Sequence, residues 1–269
     1  MLTLTLKSPL AVPLEAETIT PDALAPLSLD DVRARPVFLG KRQLRLDDVF
    51  AVEGEPSEEI EIRGDLSKVK WVGRAMTKGR VRIFGNVGMH VGAYMKGGVI
   101  EVHGRAGDWL GGEMKGGFIH VRGDAGGQVG AAYRGSVSGM AGGTILIEGT
   151  AGLEVGMRMK KGIIAIRGRV RDFCGLQMKG GTIVLMSGAE IRTGAWMARG
   201  TIISLQPVQL LPTFAFASEM MPTFLRLYAK HLSPLGFELP VAGGTYHRYA
   251  GDSSGLGKGE LFLWQPAAA

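Results

Sequence analysis

The sequence is short of the residues that staple, ligate and span. A single cysteine, Cys174, stands among 269 residues. That excludes an internal disulfide framework and a cysteine-ligated iron–sulfur cluster within this chain. No apolar run reaches the ~18 residues that a membrane-crossing helix needs. The opening MLTLTLKSPL has no basic stretch ahead of a long apolar one, so no signal peptide is expected and the expected location is cytoplasmic. His90, His103, His120, His231 and His247 show no metal-ligand spacing, and His103 and His120 are expected on an outward, solvated face. There is no G-x-S-x-G and no cysteine–histidine signature. GLGKGE at 255–260 lacks the spacing of a phosphate-binding loop. Lys and Arg are scattered, without a basic block, which argues against nucleic acid. The formal charge of +6 leaves a modest bias toward acidic partners. Asparagine occurs once, at Asn86, and Arg outnumbers Lys, the skew of a GC-rich genome.

What the chain has in excess is glycine, 42 residues, roughly twice the usual share. The excess is periodic. One glycine recurs at 73, 92, 111, 130, 156, 175 and 194, nineteen residues apart except for one step of twenty-six. Three residues later comes a methionine at 76, 95, 114, 159, 178 and 197, followed by a basic residue and glycine, as in MKGG and MARG. In the same register run IEIRG, VRIFG, IEVHG, IHVRG, ILIEG, IAIRG and IVLMS, whose first and third residues are all aliphatic. Alternation with one apolar face is the mark of a half-buried strand, and β-branched residues suit a pleated surface.

A nineteen-residue unit without helical periodicity is too short for a helical repeat. It fits one coil of a parallel β-helix, with coils stacked ~4.8 Å apart. The chain is therefore expected to be all-β: a single-stack solenoid of about seven coils, roughly 30–35 Å long, with short α/β caps at both ends. The expected divisions are 1–55, 56–206 and 207–269. Glycines in the pattern G-x-x-G-x-x-x-G, such as Gly85, Gly88 and Gly92, are assigned to corners, where sharp bends and close backbone approach favour them. Cys174 falls in the apolar ladder of Val72, Val91 and Leu110 and is expected to be a buried, inert thiol.

The caps carry their own signals. LTLTLK reads as a strand, Thr20 and Ser28 as helix starts, and Pro36 as the close of the second short helix. MPTFLRLYAKHL places Phe224, Leu225, Tyr228 and Leu232 on one helical face.

No catalytic constellation emerges. Glu61, Arg82 and Glu101 alternate in sign down one outer column, which reads as cross-strand pairing rather than as paired catalytic carboxylates. Two features are candidates for recognition. Lys78, Lys96, Lys115, Lys160, Lys179 and Arg199 recur once per coil, with Arg134 on the longer coil. Stacked ~5 Å apart they repel one another by roughly 1 kcal/mol even in water. They either splay into solvent or dock an acidic subunit surface or polyanionic ligand. The extra residues of the long coil, AAYRGSVSG, form a loop with Tyr133 and Arg134 as candidate contacts, or mere surface decoration.

The repeat G-x-x-G-x-x-x-G-x-x-M-K-G-G followed by I-x-V-x-G resembles the glycine-repeat β-helix of large-subunit glutamate synthases and of the formylmethanofuran dehydrogenase C subunit, over roughly residues 56–206. ITPDALAPLSLDDVRARPVFLGKRQLRLDDVFAVEG and YHRYAGDSSGLGKGELF extend the resemblance to the C-subunit family at both ends. It implies a non-catalytic subunit of a hetero-oligomer, with formyltransferase, amidohydrolase-like and further subunits as partners. That complex would move a formyl group between tetrahydromethanopterin and a methanofuran-type carrier and release formate, and the Arg-over-Lys skew leans toward it. The alternatives are a molybdenum or tungsten complex reducing carbon dioxide, and an independent β-helical enzyme acting on an acidic polymer. The resemblance carries over no catalytic residue and no cofactor to this chain. A polyglutamate tail on the carrier would suit the basic column.

Overall fold

Stacked coils are what the computed structural model shows, with residues 1–267 described. A 13-stranded sheet runs the length of the rod. Successive strands Glu59–Arg63, Arg80–Phe84, Val99–Val102, Phe118–Val121, Ala141–Ile147, Lys161–Ile166, Lys179–Leu185 and Arg199–Ser204 pair in parallel. Their register matches the repeat: Ile60, Val81, Ile100, Ile119, Ile145, Ile164, Ile183 and Ile202 stack in one line. All are buried. A second side of the rod is a line of single bridges joining Leu66, Val87, Ala106, Ala125, Ala151, Val170 and Ala189. The methionines at 76, 95, 114, 140, 159, 178 and 197 fill the remaining interior corner, each inaccessible to solvent. Cys174 is likewise buried, and burial pushes its thiol up to about 12.

Both ends of the chain close the stack. The first strand, Leu2–Leu6, lies parallel to Glu59–Arg63 and antiparallel to Phe50–Gly54. The last, Lys258–Pro266, adds a rung beyond Arg199–Ser204. It is followed outward by two antiparallel strands, Gly244–Gly251 and Ala215–Met220. Thr20 and Ser28 cap their short helices through their hydroxyls, which accept from the N–H groups of Ala23 and Asp31.

The outer face of the large sheet has two halves. In the early coils it is charged: Arg82 reaches Glu61 at 3.1 Å, and Arg80 reaches Glu101 at 3.2 Å. In the later coils the same column turns apolar, as Leu146, Ala165, Val184 and Ile203. The helix Leu225–Leu232 and the segment after it cover that half, and Leu225, Leu232, Phe237 and Tyr246 pack on it. His120 stands at the junction and departs from the solvated position expected of it. It is 5% exposed and its Nε2 lies 3.0 Å from Glu148. His103 stays outside, stacked on Phe84 at 4.4 Å.

Candidate docking face

The third side of the rod is built from left-handed backbone. Each coil places its aligned glycine at positive φ, for example +64° at Gly92. A Cβ there would come within 2.6 Å of Ile119 Cδ1, inside the core, so the position admits only glycine. The residues two before and, except in the long coil, two after that glycine are also left-handed, and they are not glycines: among them Trp71, His90, Trp109 and Phe173 in one column, Tyr94, Glu113, Arg158 and Trp196 in the other. Left-handed backbone is unfavourable for bulky residues. Here the inter-coil hydrogen bonds impose it, as from Tyr94 N–H to Gly112 at 2.8 Å and from Trp109 N–H to Gly127 at 2.9 Å. Because these columns point outward, large side chains fit.

The early coils use this to stack aromatic rings. Trp71 and His90 lie 4.1 Å apart at 11°, and Trp109 lies 4.6 Å from Tyr133 at 16°. Arg74 sits over both Trp71 and Tyr94, with its guanidinium 5.5 and 5.6 Å from the ring centroids. Tyr133 comes from the long coil and folds back over its neighbours. Its N–H donates to Glu113 at 3.0 Å, and its hydroxyl lies 2.9 Å from His90 Nδ1. Gly112 leaves room for it: a Cβ there would fall 2.9 Å from the Tyr133 oxygen. Burial, reinforced by the Lys70 charge, depresses His90 to about 4, so the imidazole is neutral near pH 7. Burial raises the Tyr133 phenol. A neutral pair fits the hydroxyl donating to Nδ1.

The rest of the loop reaches the other way. Arg158 donates to the Ser136 carbonyl at 2.6 Å and Lys179 to that of Val137 at 2.6 Å. Of the residues singled out in the sequence, Tyr133 is thus turned inward to the aromatic stack, while Arg134 is exposed. The basic residues form an edge beside this face, two residues past the second left-handed column. Lys96, Lys115, Lys160 and Lys179 are equivalent: their N–H groups all bond the methionine carbonyl of the preceding coil. Lys78 and Arg199 stand one residue later in their coils. Lys78 pairs with Glu58. Lys96, Lys115, Lys160 and Arg199 are exposed and make no ion pair among the described residues. Among those residues, too, no cluster of three or more His, Cys, Asp or Glu side chains is placed to hold a metal. No helix among them is long and apolar enough to cross a membrane.

The sequence pattern did not disclose the aromatic face, because the column that begins Trp71, His90 and Trp109 goes on as Gln128, Glu154, Phe173 and Arg192 and keeps no one residue type. The signal was positional: each lies two residues before an aligned glycine.

A capped glycine-repeat β-helix with one aromatic, cation-edged side is the class of protein these observations define. The chain belongs to the family of formylmethanofuran dehydrogenase C subunits. It is 46% identical over 257 residues to the C subunit of the tungsten-containing formylmethanofuran dehydrogenase 2 of Methanococcus maripaludis, covering 93% of this chain and 91% of that one. The match to the corresponding subunit of Methanothermobacter thermautotrophicus is shorter, 41% over 95 residues, and spans about a third of that relative's length (35%). In three dimensions the fold matches a chain of the crystal structure of the formyltransferase/hydrolase complex from Methylorubrum extorquens in complex with methylofuran. The TM-score is 0.89 at 36% identity, over 99% of this chain and 100% of that one. No family model matches the chain.

Proposed function

We propose that this chain is a non-catalytic, scaffolding subunit of a formyltransferase/hydrolase complex in one-carbon metabolism. The complex transfers a formyl group between tetrahydromethanopterin and a methanofuran-type carrier and releases formate. Formyltransferase and amidohydrolase-like subunits, with a further subunit, are its partners, and they carry the chemistry. The observation that carries this reading is the end-to-end structural match to a chain of such a complex. An early sheet face whose acids and bases are spent on pairing one another, as Arg82 is with Glu61, suits a scaffold. The exposed lysine edge supplies a contact for an acidic subunit surface or for a polyanionic ligand such as a polyglutamate tail.

A second reading is a molybdenum- or tungsten-dependent dehydrogenase complex. It is favoured by the 46% identity to a tungsten-enzyme subunit.

The test is the native complex. Its mass, with the bound subunits identified, is expected to show this chain in fixed stoichiometry with formyltransferase and amidohydrolase-like subunits, and the complex is expected to release formate from formyl-tetrahydromethanopterin plus carrier. Tungsten or molybdenum at stoichiometric level would select the second reading. A chain that purifies alone and acts alone on an acidic polymer would overturn both.

A further inference from the structure

Three of the four tryptophans, Trp71, Trp109 and Trp196, lie on the left-handed side of the rod. Trp196 is the most open of them. It is 57% exposed, and no ring or guanidinium stacks on it among the described residues. Its backbone is nonetheless fixed. Asp252, 3% exposed, accepts from the Trp196 N–H at 2.8 Å and is itself held by the Ser254 N–H at 2.9 Å. The returning C-terminal segment therefore presents an exposed indole from a rigid, left-handed position. An open indole on a rigid support suits an interface anchor, since tryptophan combines a large apolar face with a polar N–H and is enriched at binding hot spots.

The surroundings of Trp196 are those of an interface anchor. A groove of about 340 Å³ lies on one side, between the indole and Phe173, Leu211 and Pro212. A second, about 510 Å³, lies on the other, bounded by Arg158, Lys179 and Val137, which is 68% exposed. Trp, Tyr and Arg dominate binding hot spots, and here they share one side of the rod, from the Trp71 coil to the Trp196 coil. At ~4.8 Å per coil that strip is about 29 Å long, the scale of a contact between proteins rather than of a small-molecule pocket. Beside it runs the cation edge of Lys96, Lys115, Lys160 and Arg199, without ion-pair partners among the described residues.

We infer that the left-handed face is the docking surface for another subunit of the complex, one whose contact surface is apolar at its centre and lined with carboxylates where it meets the lysine edge. Trp196 is the anchor at one end, and the ring stack that runs from Trp71 and His90 to Trp109 and Tyr133 is the anchor toward the other. The cations draw the partner in and set its register, and the aromatic residues hold it. The inference rests on the functional reading above, since it requires an assembled complex.

Hydroxyl-radical footprinting of the native complex, set against the purified chain, tests it. Trp196 and Trp109 are expected to be oxidised at least tenfold more slowly in the complex, while Phe216 and Leu227, exposed on the C-terminal unit, change by less than twofold. Co-expression with the partner subunits supplies a second arm. Trp196→Ala and the double variant Lys96→Glu/Lys115→Glu are expected to lower the yield of assembled complex at least tenfold. The unfolding temperature of the isolated chain is expected to fall by only a few degrees, because Trp196 is more than half exposed and Lys96 and Lys115 make no ion pair among the described residues. An assembled complex in which Trp196 and Trp109 stay fully reactive overturns the inference alone. So does normal assembly of both variants. Loss of assembly in the lysine variant with tryptophans unprotected in the wild type would reassign the edge to a polyanion and overturn it too. A chain that purifies with no partner overturns the functional reading as well.

Discussion

His90 is a residue whose protonation the fold alters within the ordinary working range of pH. It is stacked between Trp71 and Trp109, at 4.1 and 6.5 Å, facing the Lys70 and Asp108 charges as well as the Tyr133 hydroxyl. Burial and Lys70 disfavour its charged form, and Asp108 opposes them weakly. Its folded pKa of about 4 lies below the unfolded value of about 6.5. The unfolded chain therefore binds the proton first as pH falls, and stability contributed by the neutral imidazole is present above about pH 6.5 and lost on the way to pH 4. Thermal unfolding of the wild type should drop across that window, and His90→Gln should flatten the drop while lowering stability at pH 8. A wild-type profile level from pH 7 to 4.5 would count against the buried neutral ring. At this scale the sequence was readable where one residue type repeats. Gly92 and Met95 announce themselves through their copies, as does the column holding Cys174. The pairing of His90 with Tyr133 was not readable, because it joins residues 43 apart through a loop that breaks the period.

Elements were easier to read than the contacts between them. Every strand of the repeat lies where the alternation places it, since a one-residue slip would turn its whole apolar set outward. The covering of the later coils was missed, although Leu146, Ala165 and Val184 stand where Glu61, Arg82 and Glu101 stand earlier. An apolar residue on both faces of a strand says that the sheet is covered. It does not say by what, and the helix that covers it lies beyond the repeat. Leu232 is fully buried in that contact. Leu232→Ala should cost about 2–5 kcal/mol, and hydrogen exchange should quicken over the helix Leu225–Leu232 and the strand Gly244–Gly251 while the strands from Arg80 to Val121 keep their protection. Uniform loss along the rod would show that the helix is part of one cooperative block.

At the scale of the whole molecule, a solenoid contacts only nearest neighbours, so its stability accumulates coil by coil and it can fray from either end. This one departs from that rule at the long coil. Its loop ties Tyr133 to the coils of Gly92 and Gly111, and ties the Ser136 and Val137 carbonyls to Arg158 and Lys179 in the coils of Gly156 and Gly175. Deleting residues 133–138 should separate urea unfolding followed by tryptophan fluorescence from that followed by circular dichroism, where the intact chain is expected to give coincident curves. Coincidence in both would mean that the loop adds no coupling. The same strap has a mechanical meaning. A rod held only by adjacent rungs would peel one turn at a time when pulled from its ends. With five turns bound by a single loop, tension is shared across the middle of the rod, which yields as one body.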